Sequence, residues 1–261
     1  MKEESTIEIM REEQSHGRAW NTMHGGYFAS LKIAEPFVDE IIRIFHIARP
    51  DVIVDLGGGT GFLLDQVRYA LTEPVKPGFL VIDLSIEQLN AAADLGLRGK
   101  QDSITEFSRK SLLQNENAPV MYISRSTFHY AGKNGLLPLL EHIAGEMKSG
   151  EFFVHQTACF ADCEDQQIMN RIYEMMNTEK WYPAVSELTT ALESAGLEVL
   201  DVKPAAPLPL TSESLAARYK VPEELMVEIC NAIPVKKGVT RKTRTDFTAY
   251  LHYRIYICRK K

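Results

Sequence analysis

The stretch DVIVDLGGGTGFLLDQV, residues 51–67, constrains the fold more than any other part of the chain. Val52, Ile53 and Val54 form a short β-branched run of the kind found in a parallel strand buried on both faces. Asp55 closes the run. Gly57, Gly58, Gly59 and Gly61 then make a turn, and Phe62, Leu63, Leu64, Val67, Ala70 and Leu71 recur at helical spacing. The unit reads as strand, glycine loop, helix. Glycine has no Cβ and tolerates positive φ, so such a loop lets a ligand approach bare backbone.

The spacing narrows the ligand. A dinucleotide loop reads G-x-G-x-x-G. Counted from Gly57, its third glycine falls on Phe62; counted from Gly59, it falls on Leu64. A Walker loop ends in Gly-Lys-Ser/Thr, which is missing here. What stands is D-x-G-x-G-x-G: Asp55, Gly57, Gly59 and Gly61. In this the sequence resembles the class I S-adenosylmethionine (SAM) dependent methyltransferases. The resemblance implies that the loop, Gly58 included, wraps the methionine and ribose parts of SAM, and that Asp55 helps hold the SAM amino group. The product cofactor would be S-adenosylhomocysteine (SAH).

The rest of the chain extends the resemblance. FLVIDLS, residues 79–85, reads as a second buried strand ending in Asp83, whose carboxylate suits the two hydroxyls of a ribose. Leu84 follows it, and Ser85 with Gln88 reads as a capping box opening the next helix. Residues 104–107 read as the third strand, with Asp102 before it. The family usually carries an acid after this strand, near the adenine; Ser111 and Leu112 stand in the matching place, a departure from that pattern. PVMYISR, residues 119–125, is the fourth strand, with Ser124 at its cofactor end, and it runs into His129 and Tyr130. The fifth strand is EFFVHQT, residues 151–157, reached through Lys148-Ser149-Gly150, close to the family's K-P-G-G step. A helix capped by Ser186 ends at Gly196 in a left-handed cap, and a strand follows over 197–202. Residues 248–258 alternate and are rich in β-branched and aromatic side chains, a final strand expected to run antiparallel beside the fifth.

The fold class implied is α/β: a Rossmann-like, seven-stranded, mostly parallel sheet with helices on both faces and the last strand antiparallel. Residues 1–48 read as an N-terminal helical cover and 49–261 as the SAM-binding domain. Insertions fall at about 160–183 and 205–245. Trp20, His24 and Tyr27 in the cover, with Tyr130, are candidates to touch a methyl acceptor. His129 and His155 sit at predicted C-terminal strand ends, where the crevice of an open α/β sheet lies. An imidazole there can take a proton from a hydroxyl or amine.

Other classes fit less well. Net charge is −6, which argues against nucleic acid as the main partner. The basic run at 236–244 carries five cations in nine residues and reads as a solvated loop. No apolar run has the length of a membrane span, and the charged N-terminal segment has no apolar centre, so the reading is cytoplasmic with reduced thiols. On a helix the four-residue recurrence of His155, Cys159 and Cys163 would put three ligands on one face, but His155 falls in a predicted strand and the sequence offers no fourth ligand, so no metal is expected. There is no Asn-Pro-Pro-Tyr, which methylases of base or amide nitrogen carry. The expected function is methyl transfer to the oxygen or nitrogen of a small molecule. A catalytically silent SAM binder and a nicotinamide-dependent oxidoreductase on the same fold are the alternatives. The acceptor's identity and the oligomeric state are not legible.

Overall fold

The computed structural model describes residues 24–73, 76–243 and 246–261. Trp20 lies outside them. After a 3-10 turn at 24–29, helix α1 spans Leu31–Ala48. Ala34, Phe37, Val38, Ile41, Ile44 and Phe45 recur at three- and four-residue steps and bury one stripe of it. Arg49 stops it in the left-handed conformation, its N–H returning to the Phe45 carbonyl.

Strand β1, Val52–Leu56, leads through the glycine loop into α2, Phe62–Ala70. Then come β2 (Gly78–Asp83), α3 (Ile86–Asp94), β3 (Arg98–Gln101) and the short α4 (Arg109–Leu112). Strand β4 (Val120–Arg125) passes through a 3-10 turn, Phe128–Ala131, into α5 (Gly132–Glu146), and β5 (Phe152–Ala158) follows. The C-terminal part holds α6 (Cys163–Met175), α7 (Val185–Ser194), β6 (Leu197–Thr211), α8 (Ser212–Tyr219), α9 (Glu223–Ala232), β7 (Thr240–Lys242) and β8 (Phe247–Lys260).

The sheet order is β3-β2-β1-β4-β5-β8-β6, with β7 paired to β8. The strands from β3 to β5 are parallel; β8 runs antiparallel to β5, as the alternation at 248–258 predicts. The short β7 makes eight strands where seven are expected. Side chains alternate between two cores. Val54, Leu56 and Tyr122 face one, under α5 and α7. Ile53, Val81, Ile123 and Val154 face the other, under α1 and α2. Chain order reverses between β1 and β4, and in open α/β sheets the ligand crevice opens at the carboxyl ends of such a pair.

Three local expectations are corrected. The third strand is Arg98–Gln101, and residues 104–107 are a turn. The helix expected to be capped by Ser186 is capped by Ala184, two residues earlier, and Glu187 Oε2 accepts the Ala184 N–H at 2.8 Å. The strand after Gly196 continues past Val202 to Thr211, through Pro204, Pro207 and Pro209. It can do so because β6 is bonded only to β8, with a bulge between Ala205 and Leu208, and an edge strand tolerates residues without an N–H. Gly196 ends α7 at φ +85°, as expected.

Part of the basic run is paired. Lys236 reaches Glu164 and Asp165, each at 2.6 Å, and Lys242 Nζ donates to the carbonyls of Cys230 and Ile233 at the end of α9. No helix among the described residues is long and apolar enough to cross a membrane.

Candidate functional site at the crevice between β1 and β4

The glycine loop is pinned at both ends of its turn. The N–H groups of Gly57 and Gly58 both donate to the Ile82 carbonyl of β2, at 2.8 and 3.1 Å. Gly59 donates to Asp83 Oδ2 at 2.8 Å. Gly57 has φ +68°, and a Cβ added there would lie 2.5 Å from Thr127 Cγ2, just past β4. The loop therefore follows a path that only glycine allows, between the ends of β2 and β4.

Asp83 is fixed by two backbone donors, Gly59 on one oxygen and Ser85 on the other at 2.9 Å. These two bonds, one to each oxygen, fix the orientation of the carboxylate at the edge of the cleft. Ser85 then caps α3 by accepting the Gln88 N–H, and Gln88 lines the same cleft.

Asp55 sits on the other side of the loop. It is fully buried, and neither carboxylate oxygen has a hydrogen-bond partner. Its pKa is raised to about 7, by burial first and by the like charge of Asp83 second, with Arg125 opposing. Both acids and Leu84 line the cleft. Ser124 is near it but does not line it. Its buried Oγ donates to the Leu56 carbonyl at 2.8 Å and meets Thr127 Oγ1 at 2.7 Å, tying the end of β4 to β1.

The third-strand correction changes the far end of the cleft. Asp102 directly follows β3, its N–H donates to the Asp83 carbonyl at 3.1 Å, and its side chain lines the cleft beside Ile104. Ser111 and Leu112 lie instead on α4 in a separate groove. Their carbonyls accept from Lys100 Nζ and Arg98 Nη2, each at 3.0 Å, so β3 side chains stand in front of them.

The histidines part company. His155 is wholly buried in the core under α5 and α7, stacked on Tyr256 at 4.9 Å and packed against Phe128 and Phe153. Burial pushes its pKa down to about 3, and Nδ1 shares a 2.7 Å hydrogen bond with Thr157 Oγ1. It does not line the cleft, which corrects the expectation that the end of β5 presents it there. His129 stands in the 3-10 turn, its ring stacked on Tyr182 at 5.3 Å and 4.1 Å from the ring of Tyr130. Tyr130 lines the cleft; His129 lies behind it.

The cover contributes Phe28, a residue that sequence reasoning missed. The expected Tyr27 turns away, its hydroxyl donating to the Ala206 carbonyl and its ring stacked on Tyr253 at 5.8 Å. His24 meets Arg218. Also missed are Arg125 and Thr127, which follow the apolar part of β4 and carry no periodic signal. Cys159 is buried beside Tyr256 and Cys163 is exposed at the start of α6, so the four-residue spacing does not gather ligands.

No family model matches the sequence, and no curated protein matches it. Solved structures match it in fold. A Bacillus halodurans protein provisionally described as a methyltransferase superposes with a TM-score of 0.65 at 14% identity, over 85% of this chain and 99% of that one. Magnesium protoporphyrin IX methyltransferase from Synechocystis, with SAH bound, gives 0.57 at 8%, over 98% and 95%. A SAM-dependent methyltransferase from Clostridium acetobutylicum gives 0.52 at 13%, over 87% and 92%. The chain has the class I methyltransferase fold.

Proposed function

We propose that this chain is a SAM-dependent methyltransferase acting on a small-molecule acceptor, at oxygen or nitrogen. The observation that carries the reading is Asp55. A buried carboxylate with no partner, beside a glycine loop with Asp83 at the next strand end, is costly unless a cation completes it. The ammonium group of SAM is such a cation, so the residues present fit the cofactor. Asp83 would accept from the ribose hydroxyls, the 57–61 backbone would lie along the methionine and ribose, and Asp102 replaces Ser111 and Leu112 as the polar group for the adenine end.

When bound, SAM supplies an electrophilic sulfonium methyl. The protein's part is then mainly positioning, which can supply on the order of 7–11 kcal/mol when reactants are well oriented. Thr127 and Tyr130, past the end of β4, and Phe28 from the cover would form the acceptor's side of the cleft. His129 lies behind Tyr130, so as the candidate base it would take the acceptor's proton only through the Tyr130 hydroxyl or one intervening water. His155 does not suit that role, since burial makes it a weak proton acceptor and aromatic rings enclose it. The reading is of a cytoplasmic enzyme without nucleic acid as substrate.

Calorimetry with SAM and with NAD tests it. SAM is expected to bind and NAD not; the reverse would overturn the proposal. SAM binding without SAH formation across a panel of small hydroxyl and amine acceptors would favour a silent binder.

A further inference from the structure

Strands β4 and β5 end side by side in a set of buried polar groups that the glycine loop does not use. Arg125 and Gln156 are register partners on these parallel strands, so both side chains leave the sheet on one face. Gln156 is 1% exposed, and neither its Oε1 nor its Nε2 has a hydrogen-bond partner. Arg125 donates through Nη1 to the Phe28 carbonyl at 3.1 Å and lies over the rings of Tyr27 and Phe28, at 5.7 and 5.4 Å. Its Nε and Nη2 are shielded from solvent and have no partner. Those two nitrogens form one edge of the guanidinium, a pair of parallel donors that matches the two oxygens of a carboxylate. Ser126 follows at φ +60°, held from both sides. Its N–H donates to the Gln156 carbonyl at 2.8 Å, and its Oγ meets Tyr253 Oη at 2.7 Å. Backbone held in this way clusters at ligand sites, and Arg125 and Ser126 both line the cleft.

Sheet order separates two sides of the crevice. The glycine loop and Asp83 follow β1 and close β2, on one side of β4, while Gln156 stands near the end of β5, on the other. A cofactor enclosed by residues 57–61 and Asp83 lies on the first side, so the unmet groups beside β5 face the molecule that receives the methyl. A guanidinium stays protonated in proteins, so its unused donors ask for an anion. One guanidinium supplies one positive charge, which suits a carboxylate better than a phosphate dianion. The amide of Gln156 both donates and accepts, so it fits a neutral polar group next to that carboxylate. Phe28 and Tyr130 offer aromatic walls for the rest of the molecule. We infer that the methyl acceptor carries a carboxylate, seated on the Nε–Nη2 edge of Arg125, with Gln156 bonding a second polar group of the same molecule. The inference rests on the SAM reading above and adds the acceptor's chemical class, which neither the fold nor the glycine loop implies.

The test is calorimetry on the SAH-saturated protein with mandelate, benzoate and lactate, each against its carboxamide, and with phenyl phosphate as the other oxyanion. At least one acid is expected to bind at least about 10-fold tighter than its amide, the scale of a charge-assisted hydrogen bond. Arg125→Gln should erase that preference. Arg125→Lys keeps the charge without the two-donor edge and should retain part of it. Gln156→Leu should weaken mandelate more than benzoate, since only mandelate carries a hydroxyl beside its carboxylate. Equal binding of acids and amides, or no binding by any acid, would overturn the inference. So would a preference that survives Arg125→Gln, or phenyl phosphate binding tighter than all three acids. SAH is titrated first in every variant, alongside methylthioadenosine, which has the nucleoside and thioether but no amino acid group. If Arg125→Gln weakens SAH and spares methylthioadenosine, the guanidinium serves the cofactor and the inference falls. If wild type binds no SAH, the proposed function falls and takes the inference with it; SAH binding without an acid preference overturns the inference alone. Arg125→Lys retains the packing stem, so it serves should Arg125→Gln fail to fold.

Discussion

Arg109 and Glu151 meet inside the protein as a bidentate pair, Nη1 to Oε2 and Nη2 to Oε1, both at 2.8 Å. Glu151 Oε1 also accepts the N–H of Val120, and Oε2 that of Lys148, while Arg109 donates to the carbonyls of Glu116 and Ala118. The pair thus joins α4, the start of β4 and the start of β5. Removing one partner leaves a buried charge, which typically costs about 3–5 kcal/mol. Arg109→Ala is expected to lower unfolding free energy by that amount in urea titration. A loss under about 1 kcal/mol would mean that solvent reaches the pair.

Asp55 links ligand binding to pH. Its folded pKa, about 7, is above its unfolded value of 3.8. Its contribution to stability is therefore full below pH 3.8 and is lost as pH rises through 7. At one pKa unit per about 1.4 kcal/mol, the change is at most about 4 kcal/mol. Asp55→Asn is expected to melt higher than wild type at pH 8 without ligand. SAH should bind wild type with release of a proton below pH 7, seen as a buffer-dependent heat. An identical heat in phosphate and imidazole buffers at pH 6 would contradict this.

Gly57 and Thr127 touch across the cleft, so a substitution at one can be relieved at the other. Gly57→Ala meets the positive φ, about 1–2 kcal/mol, and the contact with Thr127 Cγ2. SAH affinity is expected to fall by at least about 10-fold. Thr127→Ser removes that methyl and keeps the hydroxyl bonded to Ser124. The double variant should recover part of the loss. No recovery would place the damage in the backbone angle alone.

His155 is a packing residue whose replacement should spare the chemistry. His155→Phe is expected to keep turnover within about threefold of wild type once an acceptor is found, while Asp83→Ala loses SAM binding. The imidazole's folded pKa, about 3, lies below the ordinary 6.5. Its stabilising effect is thus present above pH 6.5 and fades as pH falls toward 3. His155→Phe should flatten that part of the acid unfolding curve. A collapse of turnover with an intact fold would restore His155 to the mechanism.

The glycine loop, Asp83, the apolar strands and the antiparallel β8 were legible because each has a local signature. β3 was not. Its residues, Arg98, Gly99, Lys100 and Gln101, are mostly exposed at the sheet's end and have no apolar run, while Ile104 and Phe107 beside it bury apolar side chains from a turn. That displaced the third strand and hid Asp102. His155 misled for a related reason. Its position at a strand end was visible, but alternation puts it on the face of Phe153, opposite Val154. Arg125 and Glu151 were missed because hydropathy reads charged residues as solvated, and their burial depends on partners far away in sequence.

The prolines of β6 have a consequence at the scale of many molecules. A bare strand at the border of a sheet is a template on which another chain can add, and prolines and charges are common ways of preventing it. Here one border interrupts its row of donors with Pro204, Pro207 and Pro209, and the opposite border carries Arg98 and Lys100. Neither end of the β3-to-β6 path favours a further strand, so edge-to-edge addition at these two borders is disfavoured.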